Sequence, residues 1–137
     1  MASDWIRRNS KRRIVLLDTS AIFMIFENLI RIEDELNRLL GSYDVRIIQE
    51  IFNEINFLKE KGSGKQKLLA KTSLSFIKRY EILPGERGNT VDDGLLMTAK
   101  SISAIVVTND KKLRKKLLNE GIQTICLRGK NHLMIVE

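Results

Sequence analysis

The chain of 137 residues is long enough for one domain of ordinary size but too short for two domains with separate cores, and its 43% hydrophobic and 30% charged residues are typical of a folded protein. Lysine and arginine total 24 against 17 aspartate and glutamate residues, so the formal net charge of +7 favours a polyanionic partner such as nucleic acid. Cys126 and His132 are the only residues of their types, which excludes disulfide frameworks, zinc clusters and nucleophilic triads and leaves hydrolytic chemistry to carboxylates.

The chain begins with a basic segment. Residues 1–13 hold five cations, Arg7, Arg8, Lys11, Arg12 and Arg13, without the apolar stretch of a secretory signal. No apolar run anywhere approaches the roughly 18 residues that span a bilayer. We therefore expect a basic N-terminal tail over residues 1–13, a single domain over residues 14–137, a cytoplasmic location and no membrane association.

The first predicted elements are a buried strand and a helix. Residues 14–17, Ile-Val-Leu-Leu, have strand length and end at Asp18-Thr19-Ser20, residue types that favour turns and helix caps. A helical segment follows and ends at Gly41. Its apolar residues recur at spacings of three, four and seven: Leu29, Ile32, Leu36, Leu39 and Leu40.

Strands and helices then alternate to the end of the chain. Strands are predicted at residues 45–48, 80–83, 104–108 and 123–127, helices at residues 49–61, 67–79, 90–103 and 111–120, and a last edge hairpin strand at residues 132–136. The strands are apolar throughout rather than alternating, which is typical of parallel strands covered by helices on both faces. We predict a three-layer α/β/α fold with a parallel, mainly five-stranded Rossmann-like sheet.

Acidic residues are predicted to gather at the carboxyl-terminal edge of this sheet, where ligands bind in such folds. Asp18 follows the first strand, Asp110 follows the fourth, and Asp92 and Asp93 begin the helix entered from the third. Glu54 lies at the margin of the apolar face of its helix, an unusual place for a solvated glutamate. Each aspartate alone is explained as a helix cap or first-turn residue worth about 1 kcal/mol, but their coincidence at one edge indicates a site.

Such a cluster of carboxylates favours a bound metal ion. Two unit charges about 4 Å apart repel by roughly 4 kcal/mol at an effective dielectric near 20. No lysine or arginine occupies the same strand-end positions. Ligation by carboxylate oxygens alone selects Mg²⁺ or Mn²⁺ over zinc. On a basic protein this predicts metal-assisted hydrolysis of phosphodiester bonds.

The cations form further clusters beyond the tail. Residues 59–79 hold seven, and one short helix contains Lys111, Lys112, Arg114, Lys115 and Lys116, which are candidates for contacts with the RNA backbone. The alternative for any such cluster is a solvated helix face. Aromatic residues make up only 6% of the chain, so contacts with phosphates are favoured over a base-stacking surface.

At its acidic positions the chain resembles the PIN-domain nucleases, over residues 14 to about 125. That family has an apolar strand ending in Asp and followed by Thr, Ser or Asn, as in Leu17-Asp18-Thr19-Ser20, and a glutamate on the helix after the second strand, as in Asn53-Glu54-Ile55. Gln49 stands where family members often carry proline. A third acidic site precedes a Leu-rich helix, as in Asp93-Gly94-Leu95-Leu96, and a fourth lies in a Thr-x-Asp turn, as in Thr108-Asn109-Asp110.

The resemblance implies an endoribonuclease that prefers single-stranded RNA and depends on Mg²⁺ or Mn²⁺. Its catalytic metal ligands would be Asp18, Glu54, Asp93 and Asp110, with Asp92 as an auxiliary acidic ligand and Ser20 or Thr108 orienting water or phosphate. The doublet leaves the choice between Asp92 and Asp93 open.

Three alternatives concern the role of the protein. The doublet and the phrase Thr-Asn-Asp-Lys-Lys-Leu resemble the branch that processes pre-ribosomal RNA, which implies a ribosome-assembly partner. Toxin-type PIN ribonucleases share the four acidic sites, and that branch implies an antitoxin. A non-catalytic RNA-binding module is the third alternative, disfavoured because all four acidic positions are filled. Family members often dimerise, so the resemblance also implies a homodimer.

Overall fold

The structure, a computed structural model, describes residues 12–136. The strands are β1 (Arg13–Leu17), β2 (Tyr43–Ile48), β3 (Glu81–Leu83), β4 (Ile105–Val107), β5 (Thr124–Arg128) and β6 (His132–Ile135). The helices are α1 (Thr19–Glu27), α2 (Ile32–Leu40), α3 (Gln49–Lys61), α4 (Gly64–Ile77), α5 (Val91–Ile102) and α6 (Lys111–Asn119). None of these helices is both long and apolar enough to cross a membrane.

The strands form one sheet in the order β3-β2-β1-β4-β5-β6. All neighbouring strands are parallel except β6, which runs antiparallel to β5 as the predicted edge hairpin. The predicted α/β class is therefore confirmed, with six strands in the sheet rather than mainly five. Because the chain winds outward from β1 in one direction and from β4 in the other, the crevice between their carboxyl ends is the place where ligands bind in this class of fold.

The two central strands explain why their sequences are continuously apolar. Leu16 and Leu17 on β1 and Val106 and Val107 on β4 are fully buried, because helices cover both faces of the sheet. The buried core continues through Ile51 and other apolar residues of the flanking helices. The central strands therefore hold their carboxyl ends rigidly in place.

The prediction of helix through Leu29 is wrong. The segment divides into α1 and α2, and Leu29 lies between them with a left-handed backbone (φ 53°) and 80% of its surface exposed. Asn28 ends α1, where its N–H bonds the carbonyl of Met24. Leu29 precedes Ile32 by three residues and Leu36 by seven, and both are helical spacings, so the periodicity alone did not reveal the break.

The beginning of α4 also differs from the predicted position. The helix begins at Gly64 rather than at residue 67, because Ser63 caps it and Gln66 completes a capping box. The Ser-x-x-Gln spacing at residues 63–66 is the sequence signal that identifies this start.

The basic tail joins the fold earlier than predicted. β1 begins at Arg13, and the Arg12 guanidinium donates to both carboxylate oxygens of Asp44, at 2.8 and 3.0 Å. The other cations of the predicted tail, Arg7, Arg8 and Lys11, lie outside the described residues.

Glu35 fastens α2 to the edge strand β6. This side chain is 9% exposed and accepts hydrogen bonds from Arg38 Nη2 at 2.9 Å and from the Leu133 N–H at 2.8 Å, and it lies 3.3 Å from His132 Nδ1. The bond from Arg38, followed by that from Leu133, lowers the pKa of Glu35 to about 2 despite its burial. The ionised carboxylate is therefore the form that the folded protein stabilises.

We expect this carboxylate to make stability depend on acid pH. A lowered folded-state pKa gives stability that is fully present above the ordinary value of 4.5 and is lost as pH falls toward 2. Glu35→Gln should therefore lower the melting temperature at pH 7, and the gap between variant and wild type should narrow below about pH 4.5. Thermal melts across this range test the expectation, with the exposed Asp34→Asn on the same helix as control. A gap that is independent of pH would contradict it.

Candidate functional site

A cleft of about 300 Å³ opens at the carboxyl-terminal edge of the sheet, beside the ends of β1 and β4. Four of the predicted acidic residues line it, each delivered by a different segment. The lining residues are Asp18, Thr19, Ser20, Phe23, Ile51, Glu54, Asp92 and Asp110. No lysine or arginine is among them, so the cleft concentrates negative charge on a protein that is basic as a whole.

Asp18 is the most enclosed of these acids. It caps α1, is 5% exposed, and accepts hydrogen bonds from the Ala21 N–H at 2.7 Å and from Thr108 Oγ1 at 2.6 Å. Burial raises its pKa to about 6, and the hydrogen bonds from Thr108, Ala21 and Ser20 offset only part of that shift. A positive charge in the cleft would favour the ionised form of Asp18.

Two hydroxyl groups connect the end of β1 to the turn that follows β4. Thr108 Oγ1 donates to Asp18 Oδ2 and accepts from the Asp110 N–H at 3.0 Å. Ser20 Oγ lies 2.8 and 2.9 Å from the two oxygens of Asp18 and accepts from the Asn109 N–H at 2.9 Å. These bonds fix Asp18 relative to Asp110.

The predicted contact of Thr108 with water or phosphate does not fit this geometry. Thr108 is 0% exposed and its hydroxyl proton goes to Asp18, so it orients the carboxylate rather than the substrate. Ser20 does line the cleft, and it contacts Asp18 as well.

Asp110 serves as a helix cap and as a cleft residue at the same time. Its Oδ1 accepts from the N–H groups of Lys112 and Leu113 at 2.9 and 3.2 Å, which caps α6. Within residues 12–136 these hydrogen bonds use Oδ1 alone, so Oδ2 is left for a ligand. The capping explanation of this aspartate and the functional one are therefore compatible.

Glu54 is held by a residue that the sequence analysis did not select. Thr19 Oγ1 donates to Glu54 Oε1 at 2.5 Å, joining the first turn of α1 to the middle of α3. Thr19 comes directly after Asp18, so the hydroxyl of one residue and the carboxylate of its neighbour both face the cleft. No local sequence signal links Thr19 to a partner 35 residues away.

The structure places Asp92, and not Asp93, in the cleft. Burial, followed by repulsion from Asp110, raises the pKa of Asp92, while Lys116 and Lys112 oppose the shift. Asp93 packs instead against the loop before α5, where a Cβ on Gly88 would lie 2.8 Å from the Asp93 Cβ. Adjacent helical residues point about 100° apart, which accounts for the different surroundings of the two members of the doublet. Of the two residues between which the sequence left the choice of third ligand open, Asp92 is therefore the one that lines the cleft.

The loop that leads to Asp92 is fixed at several points. The Gly85 N–H donates to Glu50 Oε1 at 3.1 Å, and the Glu86 N–H donates to the buried hydroxyl of Thr98 at 2.8 Å. Gly88 passes so close to α5 that an added Cβ would lie 2.6 Å from the Gly94 nitrogen. These contacts set the rotation of α5 and hence the direction of Asp92.

The donor set of the cleft suits a hard divalent cation, although its side chains are not arranged as a finished coordination shell. Across residues 12–136 no group of three or more His, Cys, Asp or Glu side chains is placed to hold a metal ion. Both oxygens of Asp18 are engaged by hydroxyl groups, and Glu54 is turned to Thr19. Oxygen donors on four carboxyl groups fit Mg²⁺ or Mn²⁺, and binding would require these side chains to rotate.

The five cations of α6 do not all face the cleft. Lys112 and Lys116 are close enough to Asp92 to oppose the rise of its pKa. All four lysines of the helix are exposed, and Arg114 is half-buried. Lys112 and Lys116, one helical turn apart, therefore form a positive border beside the acidic cleft.

Comparison with known proteins finds matches that cover most of the chain. The family model described as a PIN-like domain matches residues 15–130. Ribonuclease VapC4 of Methanocaldococcus jannaschii is 30% identical over 125 residues, which cover 88% of this chain and 95% of the relative. Ribonuclease VapC9 of Archaeoglobus fulgidus is 28% identical over 115 residues, which cover 84% of this chain and 83% of the relative.

Solved structures with the same fold include the PIN domain endonuclease Utp24, with a TM-score of 0.75 and 21% identity over 91% of this chain and 92% of that one. VapBC-1 from nontypeable Haemophilus influenzae has a TM-score of 0.57 and 18% identity over 77% of this chain and 93% of that one. At these identities the likeness concerns the fold.

Proposed function

Because the chain belongs to the PIN-domain family of nucleases, we propose that it is a divalent-metal-dependent endoribonuclease that hydrolyses phosphodiester bonds within single-stranded RNA. The observation that carries this proposal is the cleft, in which Asp18, Glu54, Asp92 and Asp110 converge without a cation on a protein of net charge +7. The two curated relatives, both named ribonucleases, support RNA as the substrate.

The residues of the cleft divide into two groups by what they do. The four acidic side chains would hold Mg²⁺ or Mn²⁺, which supplies activation of water and neutralisation of the charge that develops on the phosphate. Thr108 and Ser20 orient Asp18, and Thr19 orients Glu54. These hydrogen bonds fix the two carboxylates in the metal-free arrangement, from which they would rotate toward a bound ion.

A cleavage assay on two forms of one RNA tests the proposal. In the presence of Mn²⁺, an end-labelled single strand should be cut internally, whereas the same strand in a perfect duplex should be cut much more slowly. Binding of both forms without cleavage of either would instead support the non-catalytic RNA-binding module.

Processing of ribosomal RNA is the cellular role that we propose first. The doublet Asp92-Asp93 and the Thr-Asn-Asp-Lys-Lys-Leu phrase at residues 108–113 support it. It would place the protein in the cytoplasm with a ribosome-assembly partner, and a homodimer is compatible with it.

A toxin-type ribonuclease paired with an antitoxin is the second candidate. The observation that favours it is that both curated relatives carry VapC names. A small open reading frame directly upstream of the coding sequence would favour this candidate over the processing role.

The border of the cleft gives an expected result for RNA binding. Lys112→Gln combined with Lys116→Gln should weaken binding of single-stranded RNA and lower the salt dependence of binding by roughly 0.7 per lost phosphate contact. The matched control is Lys111→Gln with Lys115→Gln, which removes the same charge from the same helix away from Asp92. Filter binding across a salt series measures both slopes. Equal losses in the two variants would show that only overall charge matters.

A further inference from the structure

Helix α4 carries a line of exposed lysines that the cleft does not use. Its 14 residues include no aspartate or glutamate. Lys67, Lys71 and Lys78 are separated by four and seven residues, so at about 100° per residue they fall within an arc of roughly 40°. Lys78 follows the helix with helical backbone angles, φ −58° and ψ −22°, and therefore continues the line. We call these three residues the α4 stripe.

Neighbouring cations on other sides of α4 have partners within the fold. Lys65 Nζ lies 3.8 Å from Glu27, and Arg79 lies 3.5 Å from Glu33 and over the ring of Phe76. By contrast, no carboxylate of residues 12–136 lies within 4.0 Å of a stripe lysine. Lys67 and Lys71, one turn apart, also repel each other. The positive charge of the stripe is thus left for a partner outside the chain.

We propose that the α4 stripe is a second binding surface for the phosphodiester backbone of single-stranded RNA, separate from the acidic cleft. This inference rests on the proposed function for the identity of the polyanion. None of the three lysines lines the cleft, so the stripe would hold a part of the strand that is not being cut.

The shape of the stripe favours a linear polyanion over a single anion. The separation of eleven positions between Lys67 and Lys78 corresponds to about 16 Å of helix, a length that reaches several phosphates of one strand. Lysine ammonium groups bind phosphates as point charges without demanding a fixed orientation. The three side chains lie along one line and do not enclose a cavity, which suits a chain of phosphates.

The stripe is expected to bind without reading the sequence of the RNA. The nearby ring of Phe76 packs edge-on against Phe26 and Tyr80, with ring centroids 5.6 and 5.4 Å away, and is not free to stack on a base. Binding would then be electrostatic and strongly dependent on salt. The stripe should raise the affinity for long RNA, but not the affinity for a short oligonucleotide that fills only the cleft.

The test is RNA binding by the whole chain in EDTA, where cleavage does not interfere. The variant combines Lys67→Gln, Lys71→Gln and Lys78→Gln, and the control of equal charge combines Lys65→Gln, Lys100→Gln and Lys130→Gln. The probe is an oligouridine of roughly 40 nucleotides, and the stripe variant should lower the slope of log affinity against log salt by about 2. The control should change the slope much less. Circular dichroism melts would verify that both variants are folded.

Three outcomes would overturn the proposal. An unchanged slope would show that the stripe is only a solvated helix face. Equal reductions of the slope in variant and control would show that RNA is attracted by the overall charge and not by the stripe. Binding of phosphatidylserine vesicles that requires the stripe, with RNA binding unaffected, would assign it to a membrane surface. Because the assay needs no turnover, a reduced slope would support the stripe even if the chain did not cleave RNA. Absence of cleavage would contradict the proposed function alone.

Discussion

Replacing Asp18 with asparagine should slow cleavage of single-stranded RNA by at least about 100-fold, the size of effect expected when a residue that stabilises the transition state is removed. Asparagine keeps the volume of the side chain, and its single oxygen can still accept from the Ala21 N–H, while its NH2 group replaces the oxygen that accepts from the Thr108 hydroxyl. It removes the negative charge that a divalent ion would require. The loss should therefore appear in turnover, while RNA affinity changes no more than a few-fold.

The stability of Asp18→Asn shows whether a loss of activity comes from the missing carboxylate or from a damaged fold. The uncharged asparagine avoids the cost of burying a charge but loses the bond from Thr108, so the metal-free variant should stay close to the wild type in stability. Asp34→Asn, an exposed substitution of the same kind, serves as control and should keep full activity. Unchanged turnover in Asp18→Asn would remove this residue from the catalytic set. Parallel loss of activity and melting temperature would point to a damaged fold.

The acidic doublet offers a comparison between two neighbouring residues in one turn of one helix. Asp92→Asn should lower turnover by about 100-fold, whereas Asp93→Asn should stay within a few-fold of the wild type, because only Asp92 faces the cleft. Asp92→Asn also removes a charge that Asp110 repels, so it should stabilise the metal-free protein. Asp93→Asn should instead cost a few tenths of a kcal/mol, because it removes a favourable charge from the first helical turn.

Single-turnover kinetics and thermal melts of the two variants measure these differences. Added Mn²⁺ should raise the melting temperature of the wild type and of Asp93→Asn by mass action, and should do so much less for Asp92→Asn. The reverse order in both assays would show that α5 is rotated differently from the arrangement described above.

The order of the elements and the edge where the acids meet follow from local patterns. Residues 49–61 were predicted as a helix, and α3 has these bounds, because strand β2 ends directly before it and Gly62 ends it. The parallel sheet follows from the continuously apolar runs of its central strands, such as residues 14–17 and 105–107. Asp18 and Asp110 could be assigned to one edge because parallel strands end on the same side.

The features that the sequence did not reveal depend on contacts distant along the chain. Asp92 and Asp93 both lie in the first turn of α5, ahead of its leucines. Only the contacts of the Gly88 loop decide which of the two faces the cleft. The bond from Thr19 to Glu54 spans 35 residues. Glu35, predicted only as part of an amphipathic segment, is buried because β6 offers it a backbone N–H from 98 residues away.

The most direct test of the metal-dependent cleft is the cleavage of one labelled single-stranded RNA by the same protein sample before and after metal is supplied. Protein stripped with EDTA should show no cleavage above background, because carboxylates alone do not make a nucleophile of water at neutral pH. Addition of Mn²⁺ in excess over the chelator should restore internal cleavage, and the Asp18→Asn protein should remain inactive under both conditions. Full cleavage in EDTA would contradict the assignment of Asp18, Glu54, Asp92 and Asp110 as ligands of a catalytic metal ion.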